Sequence, residues 1–248
     1  MQVEPVAGEP AAIADVDGSQ KLIIADYHAG VEVALRNETG VEVDSHAADR
    51  RDRLLSLVEQ TNPDQLIVLG DLMHSIGDPG GAERGELEVL FESLPESLDV
   101  FLAKGNHDGA IESWIPDIEI TPTAGEKIGN LGIMHGHTWP SQSVLSSEII
   151  CMGHEHPVVR LEDTVGGSEI RRAWIRGTLI EDPFARRGKI NNWRGPELII
   201  CPAFNELVGG TWINEGQDDF LAPFLPDGLP AGDAFLLDGT YLGDYRSI

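Results

Sequence analysis

Five apolar runs in this chain each end in a polar cluster that carries histidine, and that repeated coupling constrains the fold more than any other feature. The clusters are Asp26-Tyr27-His28, Gly70-Asp71-Leu72-Met73-His74, Gly105-Asn106-His107-Asp108, His135-Gly136-His137 and Gly153-His154-Glu155-His156. Of the 8 histidines only His46 lies outside them. Imidazole, carboxylate and carboxamide are the ligands that divalent metals of intermediate hardness accept. One D-x-H arises by chance on many loops. Five clusters in order, each just after an apolar run, point to a metal centre.

The runs also set the architecture. Leu22–Ala25, Leu66–Leu69 and Val100–Ala103 are predicted strands, with helices predicted over 44–60 (Leu54, Leu55 and Val58 on one face) and 82–93. The resulting βαβαβ order implies a parallel sheet with crossover helices. Short strand-like runs follow at 132–134, 148–152, 158–161, 172–176, 198–201, 210–213 and 234–237, with few helical patterns between them. The expected fold is therefore α/β: a four-layer α/β/β/α sandwich of two mixed β-sheets flanked by helices. Residues 1–248 are expected to form a single domain, with 1–20 adding edge strands and 158–248 supplying second-sheet strands and substrate-side loops. Asp26, Asp71, Asn106, His135 and His154 each fall just past a strand, so the metal site is expected at the strand carboxyl ends, where open α/β sheets bind ligands.

Charge bears on the solvent. There are 42 acidic residues against 17 basic ones, a net charge of −25, and the only lysines are Lys21, Lys104, Lys127 and Lys189. Such a chain repels itself in dilute buffer. At molar salt the Debye length falls to ~3 Å and the repulsion is screened. The composition fits a halophilic archaeon, and on that reading acidity does not exclude a nucleic-acid substrate. No apolar stretch approaches a membrane span and the N-terminus lacks the pattern of a secretory signal, so a cytoplasmic address and no membrane partner are expected. Cys151 and Cys201 lie in apolar runs and are expected as buried thiols.

The order D-x-H, G-D-x-x-H, G-N-H-D, His and G-H-x-H over residues 22–157 resembles the calcineurin-like metallophosphoesterase superfamily. The chain length, Gly70–His74, Gly153–Pro157 and the tail Pro202-Ala203-Phe204-Asn205 with Gly209-Gly210 resemble, more narrowly, archaeal phosphoesterases related to SbcD-type nucleases and bacterial ligase-associated repair phosphoesterases. The resemblance implies two divalent metals, manganese first, with zinc, iron or nickel as alternatives. Asp71 would bridge them, Asp26, His28 and His156 would complete one site, and Asn106, His135 and His154 the other. If residues 153–156 are extended, His154 and His156 share a side and Glu155 points away. The resemblance further implies attack on phosphorus by a metal-activated hydroxide, with His107 as the acid that protonates the leaving alkoxide and Asp108 holding the imidazolium.

His74 is read as a contact to substrate phosphate, with support of a neighbouring ligand as the alternative. His137 either faces the phosphate or packs near Trp139. Arg160, Arg171, Arg172, Arg176, Arg186, Arg187, Lys189 and Arg194 fall within 35 residues. With Trp174 and Trp193 they could form a strip for a nucleic-acid strand, in which Arg172, Arg186 and Arg187 are the named substrate contacts; the alternative is salt bridging of surface acids around core tryptophans. The leading function is a dinuclear-metal phosphodiesterase, a nuclease cutting single-stranded DNA in repair beside helicase or ligase proteins. The alternatives are a small-molecule phosphoesterase and a non-catalytic scaffold.

Overall fold

The computed structural model describes residues 2–109, 111–115, 118–163, 165–215 and 220–248. Residue 1 of the expected edge segment and residues 164 and 216–219 of the 158–248 region fall outside these. The first sheet runs in the order β1 (Val3–Pro5), β2 (Ala11–Val16), β3 (Ser19–Ile24), β4 (Gln65–Val68), β5 (Asp99–Leu102), β6 (Glu119–Ile120). The first three strands pair antiparallel and β3 to β6 pair parallel. The second sheet is built from β7 (Glu126–Ile128), β8 (Leu131–Met134), β9 (Ile149–Met152), β10 (Val158–Glu162), β11 (Ser168–Thr178), β12 (Glu197–Ile200), β13 (Asp233–Leu236) and β14 (Tyr241–Asp244). Its order is β14-β13-β11-β12-β9-β8-β7, with β10 paired to β11. Here β8, β9 and β12 are parallel neighbours and the other pairings antiparallel.

The strand period of two sorts the apolar runs into layers. Ile23, Ile67 and Phe101 from one sheet meet Ile133, Cys151, Trp174 and Ile199 from the other in the inter-sheet core. Their neighbours Leu22, Ile24, Leu66, Val68 and Leu102 face outward onto Leu54, Leu57 and Val58 of α2 (Ala47–Thr61) and Leu87 and Leu90 of α3 (Gly81–Ser93). On the far side Ile150, Met152, Ile175, Leu198 and Ile200 are covered by Val144 and Leu145 of α4 (Gln142–Leu145), Phe184 of α5 (Asp182–Ala185), and Phe224 and Leu229. The four layers are therefore present, the last one thin. Strands buried on both faces explain why the runs read as continuous rather than alternating.

Three local expectations change. The helix expected from residue 44 begins at Ala47, with the backbone N–H of its cap residue His46 donating to the Glu32 carboxylate at 3.0 Å. A helix α1 (Val31–Thr39) occupies a stretch where none is predicted; its β-branched start hides the period, but left-handed Gly30 and Gly40 mark its two ends. Residues 210–213 form only a single bridge, Val158 to Trp212, not a strand. Cys151 and Cys201 are buried free thiols. Among the described residues no helix is long and apolar enough to cross a membrane.

Candidate metal centre

All five clusters leave carboxyl ends of strands on one rim: β3, β4 and β5 in the first sheet, β8 and β9 in the second. Two of the loops are stitched together, with Asp26 N–H donating to Gly70 O (3.2 Å) and His28 N–H to Asp71 O (2.9 Å). Asp26, His28, Asp71, His154 and His156 all have positive φ, between 45° and 70°. Five non-glycine residues held in the left-handed region at one site are a costly arrangement, of order 1–3 kcal/mol each, which persists only where surrounding structure fixes it. Close approach adds a constraint: a Cβ at Gly70 would strike the His135 ring, and one at Gly105 would strike the Asp71 carboxylate.

Two groups of potential ligands result, Asp26, His28 and His156, and Asp71, His135 and His154, each with donor atoms within 4.8 Å of one another. In the first, His156 Nε2 lies 3.1 Å from Asp26 Oδ1, and His156 Nδ1–H donates to Gly209 O at 2.7 Å. In the second, His135 Nδ1–H donates to Leu69 O at 2.8 Å, leaving Nε2 toward Asp71 Oδ2 (3.2 Å), His154 Nδ1 (3.1 Å) and Asn106 Oδ1 (3.1 Å). Asp71 Oδ2 also lies 3.7 Å from His28 Nε2, so this one oxygen faces both groups.

The electrostatics follow from two buried carboxylates among imidazoles. Burial alone would raise the Asp26 carboxyl, but His156 and His135 outweigh it and hold the group below its ordinary value; Asp71 is held down in the same way by His135, His28 and His107. Burial opposes a charge on His135 as well, yet Asp71 and Asp26 lift it to about 9. His28 and His154 go the other way: burial brings them to about 3 and about 4.

His107 joins this cluster, its backbone N–H donating to Asp71 Oδ1 at 3.0 Å and its Nε2 3.8 Å from Asp71 Oδ2. Its side chain keeps 21% of its surface exposed, against 3% for Asp71, so a substrate can reach it. Its Nδ1 is bound to the backbone carbonyl of His74. The expected partnership with Asp108 is not formed. Asp108 is wholly buried and accepts from the backbone N–H groups of Leu72 (2.9 Å), Met73 (3.2 Å) and Gly105 (2.8 Å). It ties two metal loops together, and burial, with Asp71 nearby, raises its pKa to about 6. Asp108→Ala is thus expected to strand three buried N–H groups at a cost of about 3 kcal/mol or more. A thermal melt of the metal-loaded protein should fall by roughly 6–12 °C. An unchanged melt with a selective loss on poor leaving groups would return Asp108 to the acid.

His74 turns its Nδ1 to His28 Nδ1 at 3.2 Å, which is the supporting alternative, while its ring stacks on His107 at 5.6 Å between centroids. His137 sits against both His135 (5.3 Å) and His154 (6.0 Å), and burial lowers it to about 4. Residues 153–156 are not extended: the positive φ of His154 and His156 sends the two imidazoles to different groups. Glu155 does point away, and is buried, accepting from Thr211 Oγ1 (2.8 Å), Leu221 N–H (3.1 Å) and Ala222 N–H (2.7 Å).

Three supports escaped the reading by residue type. Buried Asn205 donates from Nδ2 to the carbonyls of Tyr27 (3.0 Å) and His28 (3.1 Å). Gly209 O orients His156. Glu83 accepts from His74 N–H (2.6 Å) and Ser75 N–H (2.8 Å). The motif-like tail around Asn205 was the available signal; nothing local marks Glu83.

The basic strip does not form. Trp174 points into the inter-sheet core at 1% exposure, because the strand period puts Ala173 and Ile175 on the other face, and Trp193 packs on Phe184. Arg160, Arg171, Arg176, Arg186 and Arg194 pair with Glu215, Glu169, Glu197, Asp182 and Glu148. Arg187 stacks on Trp139 at 4.5 Å. Among the described residues neither Arg186 nor Arg187 shares a hydrogen bond, ion pair or ring contact with the histidine cluster. Arg172 alone of the three reaches the site's surroundings: with His156, Asn205 and Trp212 it lines a cleft of about 660 Å³.

The donor set fits a metal pair. Among the described residues buried His28 Nε2 has no hydrogen-bond partner and buried His156 Nε2 has only the Asp26 carboxylate beside it, a cost that a cation at their convergence would remove. Fold and donor groups together define a metal-dependent phosphoesterase. The chain belongs to the calcineurin-like phosphoesterase family, whose model matches residues 21–179. Among solved structures it is similar to the nuclease MPE of Pseudomonas putida, at 20% identity and a TM-score of 0.58 over 97% of this chain and 100% of that one. It is also similar to the E. coli phosphoesterase YfcE, at 13% identity and a TM-score of 0.44 over 90% of this chain and 97% of that one. No curated protein sequence matches.

Proposed function

We propose that the chain is a phosphodiesterase acting on nucleic acid, a nuclease that cuts single-stranded DNA in repair, with manganese as its metal. The observation that carries this reading is the placement of His107. A sugar alkoxide is a poor leaving group and needs a proton as the bond to phosphorus breaks. His107 is exposed to substrate, stands beside Asp71, and has Nδ1 fixed by the His74 carbonyl, so that Nε2 faces the rim where a leaving oxygen would sit. Asp26, His28 and His156 would hold one metal, Asn106, His135 and His154 the other, and Asp71 both. Bound divalent cations would supply charge neutralisation for the phosphate and an acidified water. Asn205, Asp108 and Glu83 hold the loops that carry these groups. One protein of the same fold is a nuclease, and the cleft beside His156 gives this chain room for more than an isolated phosphate.

The acidity of the chain fits work in concentrated salt, so the test belongs there. Manganese-loaded protein in molar salt should cut single-stranded DNA and hydrolyse bis-nitrophenyl phosphate faster than nitrophenyl phosphate. A preference for the monoester, with DNA left intact, would instead establish a small-molecule phosphatase.

A further inference from the structure

The cleft beside the metal groups has an unusual wall. It is bounded by His156, Arg172, Asn205, Glu206 and Trp212 among others, so it opens directly from a metal-ligand position. In a chain of net charge −25, Arg172 has no carboxylate within ion-pair distance among the described residues. Among the described residues only its Nη1 is engaged, with the carbonyls of Ala203 (2.9 Å) and Phe204 (3.2 Å). The neighbouring guanidinium in sequence, Arg171, is by contrast paired with Glu169 and faces Asp238. Burial and the nearby Arg53 lower the Arg172 pKa, and the smaller opposing pulls of Glu206 and Glu9 do not offset them. A half-buried guanidinium in this condition binds an anion readily, since charge-assisted hydrogen bonds to phosphate are short and strong. Across Val158 from Arg172 on the same cleft, Trp212 presents a ring braced by the Arg160 guanidinium at 4.9 Å.

We propose that this cleft is a second phosphate subsite, in which Arg172 takes the phosphate adjacent to the scissile one and Trp212, on the same cleft, offers its ring to a neighbouring nucleoside. It rests on the nucleic-acid reading and deepens it: the subsite selects a polynucleotide chain over an isolated phosphoester. Two features give it specificity. Base-aromatic contact tolerates any sequence, so the recognition is of a chain and not of a base. Glu206, exposed on the same cleft, weakens anion binding and sets an upper limit on affinity.

The test reads binding rather than turnover, so a chain that fails to cut DNA would overturn the nuclease reading while leaving this one to stand or fall separately. Calorimetry on the metal-loaded protein would compare thymidine bisphosphate, phosphorylated on both sugar hydroxyls, with thymidine monophosphate. The wild type should favour the bisphosphate by about tenfold or more, the range of a hydrogen bond to a charged group. Arg172→Met should bring that ratio to about one, and Arg172→Lys should keep part of it. Glu206→Gln, at an exposed position that cannot compromise folding, should raise the ratio. A wild-type ratio near one, a ratio unchanged in both Arg172→Met and Glu206→Gln, or an equal loss of both ligands in Arg172→Met would overturn the subsite. The last result would leave Arg172 only its structural bonds to residues 203 and 204.

Discussion

Replacing His107 by Ala is expected to lower kcat by about 10²–10⁴-fold on a diester with an alkoxide leaving group, the usual range for a positioned general acid. Asp71 accepts from the His107 backbone N–H at 3.0 Å, so the loop that carries the imidazole is anchored on the carboxylate that faces both donor groups. The His74 carbonyl binds Nδ1, and that carbonyl is itself held because Glu83 fixes the N–H groups of His74 and Ser75. The ring is thus presented with one nitrogen committed and the other facing the rim. A nitrophenolate leaves without help, so the same variant should lose less than about tenfold on bis-nitrophenyl phosphate. Metal content, read by elemental analysis, should stay at the wild-type level, since no donor atom of either group belongs to His107. Equal losses on both substrates would mean that the imidazole holds phosphate or structure and not the departing oxygen.

That placement depends on contacts of a kind no linear reading reveals. The strands and the rim were readable because they rest on local rules: apolar runs of four residues, buried on both faces, stop where a polar residue must leave the sheet. Asp26, Asp71, Asn106, His135 and His154 are found where those rules put them. Adjacency to His107 suggests a pair with Asp108, whereas the buried N–H groups of Leu72, Met73 and Gly105 compete for the same carboxylate and win. An extended segment would put His154 and His156 on one side; they diverge instead, through left-handed backbone at both residues, which residue type does not announce. The arginines from 160 to 194 look like a strip in sequence. In space Arg160, Arg171, Arg176, Arg186 and Arg194 each stand beside an acid, and Arg187 stacks on Trp139. Arg172 differs because it faces the turn at residues 203–204, which is joined to the first metal loop by Phe204 N–H to Ala25 O (2.7 Å) and Asn205 N–H to Asp26 O (3.2 Å).

Asp71→Asn should have the largest effect of any single change. The carboxamide keeps the shape and an oxygen to accept the His107 N–H, but it removes the negative charge that both donor groups share. Without that charge the clustered imidazoles lose the partner that favours a cation between them, and only Asp26 remains as a buried carboxylate ligand. The expected outcome is a fall in bound metal and a loss of diesterase activity exceeding that of His107→Ala, hence more than about 10⁴-fold. Chelation of the wild type should echo this in stability. Five of the candidate ligand residues hold left-handed backbone, at of order 1–3 kcal/mol each, and among the described residues the buried His28 Nε2 has no hydrogen-bond partner. The inter-sheet core, where each fully buried aliphatic side chain contributes about 1.5–3 kcal/mol, keeps this rim folded in either state. Bound metal should therefore add to stability by mass action, about 2.7 kcal/mol per site at a hundredfold excess over Kd. For two sites the melting temperature should drop by roughly 10–20 °C on chelation, and by far less in Asp71→Asn, which has already lost most of its metal. A wild type whose melt ignores the chelator, or an Asn variant that retains both metals and full activity, would remove Asp71 from the bridging position.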